Sequence, residues 1–155
     1  MVYEKKVLGL AEARAAVDAV ITEASKDQNR PIAVAVVDNQ GDLICLAKMD
    51  GCHAVALNEA VNKAYTAARF CGDTFAIENR TKGTGRIATN FGDSRYTFVQ
   101  GGLVITYPEN QIDPEKTGTV LQVPPHTAVG GIGVCGRPSA EDEWLAFVGI
   151  LAIKY

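Results

Sequence analysis

The chain predicts an α+β fold in which helices pack on a mainly antiparallel sheet. Three observations carry the prediction. Ile32-Ala33-Val34-Ala35-Val36-Val37 is a continuous, β-branched apolar run, the pattern of a strand covered on both faces. It is followed by turn residues Asp38-Asn39-Gln40-Gly41 and a second apolar run, Leu43 to Ala47, which together read as a hairpin. Helical periodicity brackets the sheet: it opens the chain at Leu10, Ala13, Val17, Val20, Ile21 and Ala24 and closes it after Ser139.

The remaining elements follow in order. Residues 54–70 predict a helix with Leu57, Val61, Ala64, Tyr65 and Ala68 on its apolar face, closed by Cys71-Gly72. Asp73 or Thr74 is placed to cap a short helix through Ile77. From Asn79 to Gly102 the pattern gives way to Gly, Thr, Asn and Arg, with Ile87, Phe91, Tyr96, Phe98 and Val99 as isolated anchors. A loop of that length in a compact domain is usually functional or mobile. Residues 103–107 predict a third strand and 120–123 a short one, which Pro124-Pro125 stops. Gly131 to Cys135 is a Gly-rich last strand. Ser139 then reads as the N-cap of a closing helix, with Glu141, Asp142 and Glu143 in its first turn. Its apolar face is assigned to Trp144, Phe147, Val148 and Leu151.

The 155 residues fit one domain, 1–155, of a size that buries a core without staples. The composition is 47% hydrophobic and 21% charged with a net charge of −3. That balance argues against a nucleic-acid partner, which would favour a basic field. No apolar run is long enough for a membrane span, and the start lacks a signal-peptide core, so a cytoplasmic location is expected. Cys45, Cys52, Cys71 and Cys135 form no C-x-x-C pair and share no zinc spacing with the two histidines. Reduced thiols are expected, with Cys45 and Cys135 in the core, and no metal site.

Gly131-Ile132-Gly133-Val134-Cys135-Gly136 matches G-x-G-x-x-G, but too few residues follow it for the βαβ unit of a dinucleotide site. Close packing of a strand on a helix is the better account. The residues with chemical capacity lie mostly elsewhere. Asp50 is either a turn residue or an acid–base group. Lys63, four residues after Glu59, is either half of a solvated helix pair or a lysine facing a pocket under the Met49-Asp50-Gly51 turn. His53 and His126 are the only imidazoles, each an exposed residue or a ligand to haem or a metal. Arg86 and Arg95 could grip a carboxylate bidentately.

Val36-Val37-Asp38-Asn39-Gln40-Gly41-Asp42-Leu43, Lys48-Met49-Asp50-Gly51 and Lys63-Ala64-Tyr65-Thr66-Ala67-Ala68, with Gly101-Gly102 and the closing Gly131–Gly136 stretch followed by Asp142, resemble the GlcG/HbpS family. That family includes the C-terminal domain of PduO-type proteins. The resemblance covers about residues 8 to 150. It implies a profilin-like α/β/α sandwich with a central antiparallel sheet flanked by helices, and homo-oligomers from dimer to octamer. It also implies haem as the cofactor of some members and an accessory place in catabolic or redox pathways.

The chain departs from the family pattern at Cys52-His53, at Leu103 after the Gly-Gly pair, and in an insertion over about 107–128 that carries His126. The expected site lies between the Met49-Asp50-Gly51 turn, the Gly101-Gly102 strand start and the Phe91–Tyr96 loop. Two functions fit it. The first is a binding protein for haem or another small planar or anionic ligand, with histidine or threonine as axial contact and Arg86 or Arg95 on the carboxylates; no other cofactor is expected. The second is a small cofactor-independent isomerase, tautomerase, hydratase or lyase acting on an organic acid. There Asp50 or His126 would serve as acid or base, with Lys63 or an arginine on the carboxylate.

Overall fold

A computed structural model describes residues 1–109 and 122–155. The elements run α1 (Leu10–Ala24), β1 (Ala33–Asp38), β2 (Leu43–Lys48), α2 (Ala54–Phe70), α3 (Thr74–Thr81), a 3₁₀ turn (Ala88–Phe91), β3 (Gly102–Thr106), β4 (Ala128–Cys135) and α4 (Ser139–Leu151). The strands form one antiparallel sheet in the order β2-β1-β4-β3. The expected hairpin is β1–β2. Of the expected 120–123 strand, residues 120 and 121 lie outside the described residues, and Gln122 makes an isolated bridge to Gly72.

Helices cover both faces, so the fold is the three-layer α/β/α sandwich. The side chains of Val34 and Val36 on β1, Leu103 and Ile105 on β3, and Ile132 and Val134 on β4 meet α1 and α4 in the larger core. Their alternates Ala33, Ala35 and Val37 meet Cys52 and the alanines 56, 60, 64 and 68 of α2. The two faces differ in scale: one is built from branched side chains, the other from alanine and glycine.

The glycines of β4 explain that second face. A Cβ on Gly133 would lie 2.2 Å from the Ala60 carbonyl oxygen, and one on Gly131 would lie 2.3 Å from the Ala64 carbonyl oxygen. Gly102, the register partner of Gly133, would meet the Lys63 carbonyl at 2.5 Å. The backbone of α2 therefore rests on the strands with no room for side chains, and the G-x-G pattern is a packing feature.

Two helices turn out rotated from the expected orientation. In α4 the buried residues are Asp142, Glu143, Leu145, Ala146, Phe147, Gly149 and Ile150, while Trp144 and Leu151 are exposed. The run from Leu145 to Leu151 is apolar all round, so periodicity does not select a face. In α2 the alanines from Ala56 onward and Lys63 are buried, and Leu57 and Val61 are half-exposed. Ser139 is the first helical residue and Pro138 takes the N-cap position, with no side-chain cap. α3 continues to Thr81, a turn beyond Ile77. All four cysteines are free thiols, Cys45 and Cys135 being only partly buried.

The β3 edge of the sheet is finished by side chains. Beyond β3, the Asp73 carboxylate accepts the Val104 N–H at 3.1 Å, and the Thr74 hydroxyl bonds both the N–H and the carbonyl of Gly102. Side chains at the start of α3 thus take the place of a neighbouring strand. Burial pushes the Asp73 carboxyl up to about 8, with the Glu143 charge adding and the Val104 hydrogen bond opposing. A carboxyl raised in the folded state gives stability that is complete below its unfolded value near 4 and is lost as pH rises to about 8. We therefore expect Asp73→Asn, which keeps an acceptor for Val104, to be more stable than wild type at pH 8 and to lose that advantage at pH 4. Urea unfolding at the two pH values checks this.

Candidate functional site

The structure separates the residues that the sequence grouped. Met49, Asp50 and Gly51 form the turn after β2. The Met49 N–H donates to the Ile32 carbonyl and its sulfur receives the Ile32 N–H, so Met49 pins the turn to the end of β1. Asp50 is exposed and shares a shallow, polar hollow of about 360 Å³ with Ile21, Ser25, Gln28 and Lys48. Gly51 takes φ of +81°, which its lack of a side chain permits. His53 is the exposed N-cap residue of α2, and His126 is exposed ahead of β4. Neither imidazole lines that hollow. Asp50, His126 and an arginine share no cavity among the described residues.

Lys63 has neither of its expected surroundings. Its side chain is 1% exposed, and its Nζ donates to the Val134 carbonyl at 2.9 Å and to the Asp142 carboxylate at 3.4 Å. Glu59 is not its partner. Gly101 lies against the same ammonium, since a Cβ there would sit 2.8 Å from Nζ. Asp142 also accepts the Arg137 N–H at 3.0 Å, which fastens the turn between β4 and α4. Burial raises the Asp142 carboxyl to about 6 against the opposing pull of Lys63. Lys63, Gly101 and Asp142 form a buried clamp joining α2, β3, β4 and α4.

Three anchors organise the 82–99 segment. Phe70 from the end of α2 makes edge contacts with Phe91, Tyr96 and Phe98 at ring separations of 4.9 to 5.6 Å. The Tyr65 hydroxyl donates to Asp93, and the Thr97 N–H donates to the Thr66 hydroxyl. Arg95 forms a two-point pair with Asp93 and lies 4.1 Å from the Tyr65 ring centre. These contacts hold the Asp93 carboxyl well below the usual carboxylate range, with Arg95 the first cause and Tyr65 the second. Arg95 is thus engaged in holding the loop. Arg86 stacks on Phe91 at 4.3 Å, and no side-chain ion pair binds it among the described residues.

Arg86 lines the largest of the three described clefts, about 470 Å³, together with Glu78, Thr81, Lys82, Ile87, Phe98 and Val99. Its walls are the end of α3 and the loop that α2 anchors. Ile87 and Val99 expose apolar surface there, 61% and 45% respectively, and Lys82 and Arg86 supply two cations. The volume falls within the range of small-molecule sites. The sequence pointed to Arg86 and Phe91. It missed Lys82, Phe98 and Val99 as wall residues, although the density of Gly, Lys and Arg over 82–86 was visible. The cleft contains no histidine or cysteine, and no group of three or more His, Cys, Asp or Glu able to hold a metal occurs among the described residues. No helix among them is long and apolar enough to cross a membrane.

Comparison with known proteins places this geometry. Residues 8–113 match the model of a family described as haem-degrading protein HbpS-like. A double mutant of HbpS from Streptomyces reticuli is 26% identical with a TM-score of 0.78, over 99% of this chain and 92% of that one. Protein ORFY of Klebsiella pneumoniae is 20% identical with a TM-score of 0.78, over 97% and 93%. A PduOC:heme complex is 19% identical with a TM-score of 0.72, over 95% of each chain; the last two likenesses concern the fold alone. No curated protein matches at the sequence level.

Proposed function

This chain belongs to the HbpS-like family, and on that premise we propose that it binds a small planar, carboxylate-bearing ligand, haem first among the candidates, in the cleft between α3 and the 82–99 loop. The observation that carries the proposal is the pairing of apolar walls with two cations in that cleft. Ile87, Phe98 and Val99 offer surface to the face of a ring. Arg86 and Lys82 offer charge-assisted hydrogen bonds to carboxylates at its edge. Phe91, stacked under the Arg86 guanidinium, keeps that cation over the cleft.

The fit to haem is good for the ring and its propionates and weaker for the iron. The hydroxyl of Thr81 is the one uncharged side-chain oxygen in the lining, and it already donates to the Ile77 and Glu78 carbonyls. The ligand is therefore held chiefly by apolar contact and by its carboxylates. Haem, when bound, supplies whatever redox or oxygen chemistry follows. The chain contributes the pocket, its charge and the exclusion of water from one ring face.

Absorbance titration with haem tests this. A Soret band shift is expected for wild type, and Arg86→Ala and Lys82→Ala should each weaken binding about tenfold, the loss of one charge-assisted contact. His53→Ala and His126→Ala should leave the affinity unchanged. A shift that survives both cation variants but disappears with His53→Ala or His126→Ala would move the site elsewhere.

A further inference from the structure

A cavity of about 360 Å³ on the α1 and α4 side of the sheet shares no residue with the cleft between α3 and the 82–99 loop. Its floor is Leu8 and Val129, both buried. One wall is the segment before α1, which two hydrogen bonds hold in place. Asn39 donates to the Lys6 carbonyl, and the Leu8 N–H donates to the Val129 carbonyl. The facing wall is a pair of tyrosines. The Tyr107 and Tyr155 rings meet edge to face at 5.1 Å, and the Tyr155 hydroxyl donates to the Thr106 carbonyl at 2.7 Å. Two opposite charges open on this space. The Lys6 ammonium stands 5.9 Å from the Tyr107 ring centre, at the outer limit of a cation–π contact. The Glu12 carboxylate folds back over Gly9, where a Cβ would lie 2.6 Å from its oxygen. Burial pushes the Tyr155 hydroxyl up to about 12 and the Glu12 charge adds to that, which puts this carboxylate within electrostatic reach of the ring pair.

Lys6 and Glu12 line one cavity without neutralising each other. Neither side chain enters an ion pair or a hydrogen bond among the described residues. We propose that this cavity binds a small aromatic zwitterion of the α-amino-acid class, with its carboxylate on Lys6, its ammonium on Glu12 and its ring against Tyr107 and Tyr155. Each group of such a ligand meets its complement. The two charged ends take charge-assisted hydrogen bonds, and the ring takes the edge-to-face packing that the tyrosines already show toward each other. Lys6 is exposed and its stem is flexible, so its ammonium can leave the Tyr107 ring for the ligand carboxylate. The paired charges also confer specificity by repulsion. Glu12 disfavours a ligand that carries only a carboxylate, and Lys6 disfavours one that carries only an ammonium. The volume is that of a small-molecule site.

Calorimetric titration with three probes tests this. L-Phenylalanine carries both charges, phenethylamine only the ammonium and 3-phenylpropionate only the carboxylate. L-Phenylalanine should bind about tenfold more tightly than either analogue, the loss of one charge-assisted contact. Glu12→Gln should weaken L-phenylalanine about tenfold and leave 3-phenylpropionate as tight or tighter. Lys6→Ala should weaken L-phenylalanine similarly and leave phenethylamine as tight or tighter. Neither residue belongs to the core. Amide shift mapping of the wild-type protein with L-phenylalanine needs no variant, and should perturb Leu8, Gly9, Glu12 and Val129. Absence of heat and of shifts at about 10 mM, above the roughly 1 mM scale of a weak site, would overturn the proposal. So would equal affinity for the three probes, or phenethylamine binding more tightly than L-phenylalanine, which would make this a site for cations alone. Shifts centred on Lys82 and Arg86 would overturn it by moving the ligand to the other cleft.

Discussion

Replacing Gly133 by alanine should cost about 3 kcal/mol or more, at the upper end of what overpacking a core inflicts. The added methyl would stand 2.2 Å from the Ala60 carbonyl oxygen and 2.6 Å from the Ala64 nitrogen. Both are helix backbone atoms, so no side-chain rotation relieves the clash; α2 must lift from the sheet. Lifting it would strip the contacts of Ala33, Ala35 and Val37 on one side and pull Lys63 away from Val134 on the other. Gly131→Ala should behave similarly, since its neighbours are the Ala64 carbonyl and the Ala68 nitrogen. Chemical denaturation gives the value, and a loss below 1 kcal/mol would show that α2 does not rest on β4 as closely as described.

Lys63→Met is the second large effect, expected to cost about 3–5 kcal/mol because it leaves the Asp142 carboxylate buried without its counter-charge. The deficit should depend on pH in a defined sense. The Asp142 carboxyl already sits near 6 with Lys63 beside it, and removing the ammonium raises it further. The variant's deficit should therefore shrink as pH falls toward 5, where the acid becomes neutral, and grow toward pH 8. Lys63→Met combined with Asp142→Asn should recover much of the loss, since no buried charge remains while the Arg137 N–H keeps an acceptor. If the single variant matches wild type at pH 8, the clamp is not holding the sheet to its helices.

These two variants mark where sequence and structure agree and where they part. The hairpin, the fully buried β1 and the packing role of Gly131 and Gly133 are all local patterns, and each could be seen in the sequence. Lys63 could not be placed the same way. Its nearest opposite charge in sequence is Glu59 on the same helix, but its partner Asp142 is 79 residues away, and no local spacing predicts that. The face of α4 was misassigned for a different reason: apolar residues run all round the helix, and the Trp that looked like an anchor lies outside. Nor does local sequence reveal Arg137, whose guanidinium donates to the carbonyls of Ala24, Asp27 and Arg30 and so ties the end of α1 to the start of α4.

The site divides along the same line. Arg86 and Phe91 lie together because a short segment connects them; the sequence put both in a wider group with the Met49-Asp50-Gly51 turn and Gly101-Gly102. The Met49-Asp50-Gly51 turn and the Gly101-Gly102 pair carry the family pattern, but their surroundings are structural: Met49 pins the end of β1, and Gly101 makes room for the Lys63 ammonium. Shared motifs in this chain hold the sandwich together. The cleft that offers a ligand both cations and apolar walls is built from the segment with the weakest pattern, where Phe70, Tyr65 and Thr66 of α2 fix a loop that no periodicity describes.

The central claim is that this cleft is where a planar acid binds, and backbone amide chemical-shift mapping with metal-free protoporphyrin tests it most directly, because it needs neither iron coordination nor activity. The account predicts that the perturbed amides cluster on Lys82, Arg86, Ile87, Phe98 and Val99. Perturbations centred instead on the Met49–Asp50 hollow, or none at saturating ligand, would contradict it.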